Sequence, residues 1–230
     1  MSQSCTAFIN KDPQPLVKLL ESFLILRPTR SIKNSNESVL QGIIEVFWSE
    51  KKICIPELTL VVDPTRSYGD GKFGFVDIFL PSVASSSPRT ANIIELKNIT
   101  LTSLWKAQNK APNRDATHTE LESLRKLLVK EDEKKLLQRK FLVYDQSAAM
   151  WKTTTIQGVV DSATAQVQNY MTVISMGPAG FTERGVVDKR IRCDVGGDSL
   201  NAHVILCVGG TRVLATRVAG LETKYSFRPT

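Results

Sequence analysis

Two apolar runs that each carry charge at their centre constrain this chain most. They are Gly74-Phe75-Val76-Asp77-Ile78-Phe79-Leu80 and, after a polar loop, Ala91-Asn92-Ile93-Ile94-Glu95-Leu96-Lys97. Both have strand character: short, rich in β-branched and aromatic residues, and bounded by Gly, Pro and Ser. A charge in the middle of a buried strand is costly, so it has a partner or a task. Side chains alternate along a strand, which sends Glu95 and Lys97 to one face and Ile94 and Leu96 to the other. If the two strands are neighbours, Asp77 lies beside Glu95. Two carboxylates and a lysine on one sheet face suit a hard divalent cation. A Glu-x-Lys pair alone is ordinarily a solvated ion pair on an edge.

The flanking text reads as an α/β domain. Residues 14–26 have helical spacing, with Leu16, Leu19, Leu20, Phe23 and Leu24 on one face and Pro15 tolerable in the first turn. A second helix runs from about Asn36 to Glu50, capped by Ser35 or Asn36, with Glu37 in its first turn. A strand from Ile53 to Val62 follows; Pro56 marks an edge or a bulge, and Glu57 reads as exposed. Asp63-Pro64 and Tyr68-Gly69-Asp70-Gly71 form a turn into the Asp77 strand. The Ser-rich loop to the Glu95 strand ends at Arg89, a candidate phosphate contact.

Beyond Lys97 the signals are looser. Thr117-His118-Thr119-Glu120 has the form of a capping box, with one long amphipathic helix expected behind it through Leu136 and Leu137. His118 reads as a surface or cap residue. Phe141–Tyr144 is a short extra strand, and the next helix starts at Asp161 or Ser162 and runs to about Ile174. Gln166 and Tyr170 are one turn apart on that helix and share a face; Gln168 points elsewhere. Arg184, Lys189, Arg190 and Arg192 cluster in a loop-rich stretch able to face a phosphate backbone or solvent. Residues 202–208 and 212–218 read as a closing hairpin.

Composition narrows the field. Thirty Lys and Arg against 23 Asp and Glu give a net charge of +7, which favours polyanionic partners. The four cysteines are scattered, without a Cys-x-x-Cys pair; they suit neither a zinc site nor a disulfide framework. With two histidines in the chain, histidine-based catalysis has little material. No apolar run is long enough to span a membrane, and the first residues lack signal-peptide regions. An intracellular place, nuclear or cytoplasmic, is the expectation.

Asp77, a spacer of 17 residues and then Glu95-Leu96-Lys97 resembles the core motif of the PD-(D/E)XK nuclease superfamily. Gln166-Val-Gln-Asn-Tyr170 resembles the Gln-x-x-x-Tyr helix of its RecB-like branch. Glu37-Ser38-Val39-Leu40-Gln41-Gly42 is similar to text that precedes the first core strand in some members. Val76 stands where the Pro of the motif's name belongs.

The resemblance implies a restriction-endonuclease-like α-β-β-β-α-β core with a central mixed sheet flanked by helices. A helical extension at 1–35 would precede it, and a helical insertion at about 98–160 would interrupt a single domain spanning 36–230. It further implies Mg²⁺, with Mn²⁺ as a substitute, on Asp77, Glu95, the Leu96 carbonyl and Glu37. Lys97, Gln166 and Tyr170 would complete the catalytic set. The implied activity is phosphodiester hydrolysis, DNA before RNA and endonucleolytic, with a homodimer compatible. Two alternatives stay open: an inactive nuclease-fold module that binds nucleic acid or protein, and a basic α/β interaction domain with no metal site.

Overall fold

The computed structural model describes residues 3–33, 37–48, 54–82, 89–145 and 148–230. Its centre is a mixed sheet built on β1 (Ile55–Val61), β2 (Phe73–Leu80) and β3 (Thr90–Ile99), a meander of antiparallel neighbours. β8 (Ser199–Val208) lies parallel to β3 along its whole length, and β9 (Arg212–Glu222) returns antiparallel to β8. The two-residue β6 (Gly185–Val186) edges β1, giving the six-stranded order β6-β1-β2-β3-β8-β9, while β7 (Ile191–Val195) pairs antiparallel with β10 (Tyr225–Pro229) outside it. The parallel step from β3 to β8 needs a long crossover, and the helix within it covers one sheet face.

That helix is α8 (Ile156–Ser175). Its Ala163, Val167, Met171 and Ile174 pack on Leu58, Leu60, Ile93 and Val204. The opposite face takes α1 (Gln3–Ile9), α2 (Gln14–Ile25) and α4 (Glu37–Trp48), whose Phe8, Leu20 and Ile44 join Ile78, Ile94, Leu96 and Ile205. The result is a three-layer α/β/α arrangement. A third cluster closes one end of the sheet: α5 (Leu101–Gln108), α6 (His118–Lys130) and α7 (Glu133–Leu137) bury Leu104, Trp105, Leu128 and Leu136 against Ile99, Leu206 and Leu214. Buried Arg125 on α6 donates to Thr29 in α3 (Thr29–Ile32) and to the carbonyls of Leu24 and Ile25, tying this end to the N-terminal helices.

Several boundaries differ from the sequence reading. The long helix expected after Thr117 is two, because Glu131 leaves helical geometry and Asp132 caps a new start by accepting from Lys134 and Lys135. The capping box itself is present. The Gln166 helix begins at Ile156, capped by Thr155, and not at Asp161. α1, α5 and β5 (Met150–Thr155), the partner of β4 (Lys140–Asp145), were not anticipated. The Ser35 or Asn36 cap lies outside the described residues, as do Ile53 and most of the Ser-rich loop.

Alternation fails at one place, and two strands fail together. Val76 and Phe79, three apart, both pack on the α8 side, as do Ile55 and Leu58. Strict period-two alternation would part each pair. The shift falls at Glu57, whose φ of 51° lies in the left-handed region, and at Asp77 across from it. Pro56 sits beyond the part of β1 that β6 covers, so its missing N–H costs no ladder bond on that edge. Arg190 donates to the carbonyls of Pro56 and Glu57 and pairs with Asp188, closing the irregular segment.

Candidate functional site

The β2–β3 ladder pairs Leu80, Phe79 and Ile78 with Asn92, Ile93 and Ile94, and goes no further. At the next position the strands part, and the Asp77 side chain enters the gap: its Oδ2 accepts the Leu96 N–H at 2.6 Å. A residue in a strand turns its N–H and C=O toward the same neighbour, so the Leu96 carbonyl opens on this gap as well. Asp77 therefore reaches into the space between the strands, where its carboxylate lies near enough to Glu95 to raise it.

Glu95 is 1% exposed. Its Oε1 accepts from Lys97 Nζ at 2.8 Å, while its buried Oε2 has no hydrogen-bond partner among the described residues. Glu37 reaches the same lysine from the first turn of α4, with Oε2 3.7 Å from Nζ. One turn on, Gln41 Nε2 donates to the Asp77 carbonyl at 3.4 Å. The spacing of four puts both on the α4 face that covers the strand. The sequence reading missed Gln41; the signal available was that spacing from Glu37.

From the other side, α8 lowers Tyr170 onto β2. Gln166 Nε2 donates to Tyr170 Oη at 3.0 Å, and the Phe75 backbone also bonds this hydroxyl. The ring lies so close to Gly74 that a Cβ there would stand 2.7 Å from its Cε1. Glycine at this position makes room for the ring. Asp77, Glu95, Lys97, Glu37, Leu96, Gln166 and Tyr170 thus meet around one gap; Gln168 is exposed away from it.

The electrostatics fit a desolvated acidic pair. Burial lifts Asp77 to about 6, with Glu37 and Glu57 adding to the rise while the Leu96 N–H and Lys97 oppose it. Glu95 is lifted to about 7, by burial first and then by the Asp77 carboxylate. Burial alone would lower Lys97, but Glu95, Glu37 and Asp77 outweigh it and hold the ammonium above its ordinary range. Tyr170 is raised by burial, so it stays protonated.

Among the described residues no three His, Cys, Asp or Glu side chains converge as a ready coordination shell. Mg²⁺ does not require one: it keeps several waters and takes one or two carboxylates. The unpartnered Glu95 Oε2 is an acceptor that wants a positive partner, and a buried carboxylate left this way costs about 1–3 kcal/mol or more. The donor set therefore fits a hard cation.

Other candidates stand apart. Arg190 and Arg192 are held by Asp188 and Asp194, while Arg184 and Lys189 of that proposed patch are exposed. His118 is exposed at the start of α6. His203 is fully buried against Phe8, with neither ring nitrogen bonded. The four cysteines are unpaired thiols, and no described helix is long and apolar enough to cross a membrane. Set against the known protein families, the curated proteins and the solved structures, the chain matches none of them.

Proposed function

We propose that this chain is a divalent-cation-dependent nuclease with a restriction-endonuclease-like core, acting on DNA as an endonuclease. The observation that carries the reading is the unbonded, buried Oε2 of Glu95 beside Asp77 in the gap between β2 and β3. The order α4, β1, β2, β3, α8, β8 supports the fold reading, since it follows the α-β-β-β-α-β core that the sequence resembles. The net charge of +7 supports a polyanionic substrate.

Asp77, Glu95 and the Leu96 carbonyl would hold Mg²⁺ or Mn²⁺, with Glu37 near enough to share the site. Bound there, the ion would polarise the scissile phosphate and make its water a better nucleophile. Lys97, kept charged by its three carboxylate neighbours, holds Glu95 in place and offers Nζ protons to the attacking water or to a phosphate oxygen. Tyr170, fixed by Gln166, presents a protonated hydroxyl at the same gap as a phosphate donor. In the reaction a water oxygen bonds to phosphorus and the phosphorus–ester oxygen bond breaks. One proton leaves the water and one is taken up by the departing alkoxide.

The test is incubation of the chain with plasmid, linear duplex, single-stranded DNA and RNA, with Mg²⁺ or with EDTA. Cutting that needs the ion supports the reading. Binding of nucleic acid without cutting of any substrate replaces it with the inactive binding module.

A further inference from the structure

Among the described residues the strands Lys140–Asp145 and Met150–Thr155 pair with each other and not with the central sheet, as an arm apart from it. Their register sets Tyr144 opposite Trp151, and the two rings meet edge to face with centroids 5.3 Å apart. An aromatic pair of this size ordinarily belongs to a core. Here Tyr144 is 48% and Trp151 41% exposed, whereas Trp48 and Trp105 are buried. One cation lies against the pair and a second shares its face. Lys106 of α5 places its ammonium 5.6 Å from the Trp151 ring centre, and its carboxylate neighbour among the described residues, Asp115, is 3.8 Å away and almost fully exposed. Lys140 is exposed, and strand alternation sets it on the same face as Tyr144. Lys152 points to the other face and is paired with Asp145.

We propose that the Tyr144–Trp151 arm is a stacking platform for an unpaired base, with Lys106 and Lys140 holding the adjoining phosphates. Exposed rings beside cations are the combination that binds single strands, because every base has a π-face and every link a charge. A duplex keeps its base faces covered. A stable protein interface needs about 800 Å² from each partner, far more than two half-exposed rings supply. Lys106 follows Lys97 by nine residues, five of them helical steps, so the two Cα atoms are at most about 22 Å apart. A strand on the arm can therefore reach the carboxylate gap within a few nucleotides. The inference rests on the nuclease reading for what happens to that strand, and it names the substrate as a single-stranded segment.

The experiment is fluorescence anisotropy of oligo(dT) and oligo(U) of about 20 nucleotides, and of a duplex of equal length, with the full chain in EDTA. Trp151→Ala is expected to weaken single-strand binding about 10-fold or more and to leave duplex binding unchanged, with Trp151→Phe recovering most of the loss. Lys106→Ala is expected to flatten the salt dependence. A preference between the two oligonucleotides assigns the arm to DNA or RNA. Equal single-strand affinity in wild type and Trp151→Ala, equal losses on duplex and single strand, or a homodimer that Trp151→Ala breaks without altering oligonucleotide affinity would overturn the inference. Because cleavage is measured separately in Mg²⁺, the two claims part cleanly. Trp151-dependent binding without cleavage removes the nuclease reading alone. Cleavage with Trp151-independent binding removes the platform alone.

Discussion

Asp77 Oδ2 accepts the Leu96 N–H at 2.6 Å just past the point where the β2–β3 ladder ends. The side chain thus does two jobs: it satisfies a strand N–H that has lost its ladder partner, and it presents a carboxylate beside Glu95. The two jobs separate by substitution. Asp77→Asn keeps an oxygen acceptor for Leu96, so its stability stays within about 1 kcal/mol of wild type while cleavage falls by about 100-fold or more. Asp77→Ala leaves the Leu96 N–H unpaired and costs about 1–3 kcal/mol as well. Urea unfolding beside a cleavage assay checks both.

Glu95→Gln tests the orphaned oxygen. Folded Glu95 keeps its proton to about 7 against an ordinary 4.5, so the unfolded chain ionises first and stability falls as pH rises between those values. Above that window the penalty is complete. In EDTA at about pH 8 the Gln variant is therefore expected to be more stable than wild type, by up to about 3 kcal/mol with the opposing attraction of Lys97 already included. Mg²⁺ is expected to raise the melting temperature of wild type and to leave that of the variant nearly unchanged. Thermal melts with and without the ion read out both effects.

Gly74 and Tyr170 are coupled by contact. A Cβ at position 74 meets Tyr170 Cε1 and Val62 Cγ1, each at 2.7 Å. Gly74→Ala is expected to cost about 1–3 kcal/mol through this overpacking and to displace the tyrosine from the gap. With Tyr170→Ala in the background the cost of the added methyl shrinks, a coupling of at least about 0.5 kcal/mol in a double-mutant cycle. Additive losses would contradict the contact.

His203 sets an acid limit. Burial first, then Arg217, lowers it from 6.5 to about 4. Between those values the unfolded chain binds a proton that the folded chain refuses, so this histidine removes stability as pH falls, up to about 3 kcal/mol. Among the described residues neither ring nitrogen has a partner to lose, and the Phe8 ring lies beside it, tilted, with centroids 4.6 Å apart. His203→Phe should therefore lose less stability than wild type on going from about pH 7 to about pH 4, as read from urea midpoints.

The central strands and the charged candidates Asp77, Glu95 and Lys97 were legible, because charge inside an apolar run is a local signal. Glu37 and Tyr170 were singled out by the family resemblance instead. The shape of the gap was not legible. It depends on the left-handed backbone of Glu57 and on two strands shifting face together, which no single period records. Helix α8 was misplaced at its start because Asp161 and Ser162 both have the chemistry of a cap, whereas the cap in use is Thr155, whose hydroxyl accepts the Gly158 N–H. The split of α6 from α7 turned on Asp132, a cap embedded in a charged stretch that also fits one continuous helix. The Trp151 arm escaped notice because β5 is largely exposed and lacks an apolar face to mark it.

The most direct measurement is nicking of a supercoiled plasmid by wild type and Lys97→Ala, each with Mg²⁺ and with EDTA. The account predicts cutting by wild type that EDTA abolishes and that falls about 100-fold or more in the variant. Cutting that survives EDTA, equal cutting by Lys97→Ala, or no cutting by wild type would contradict it.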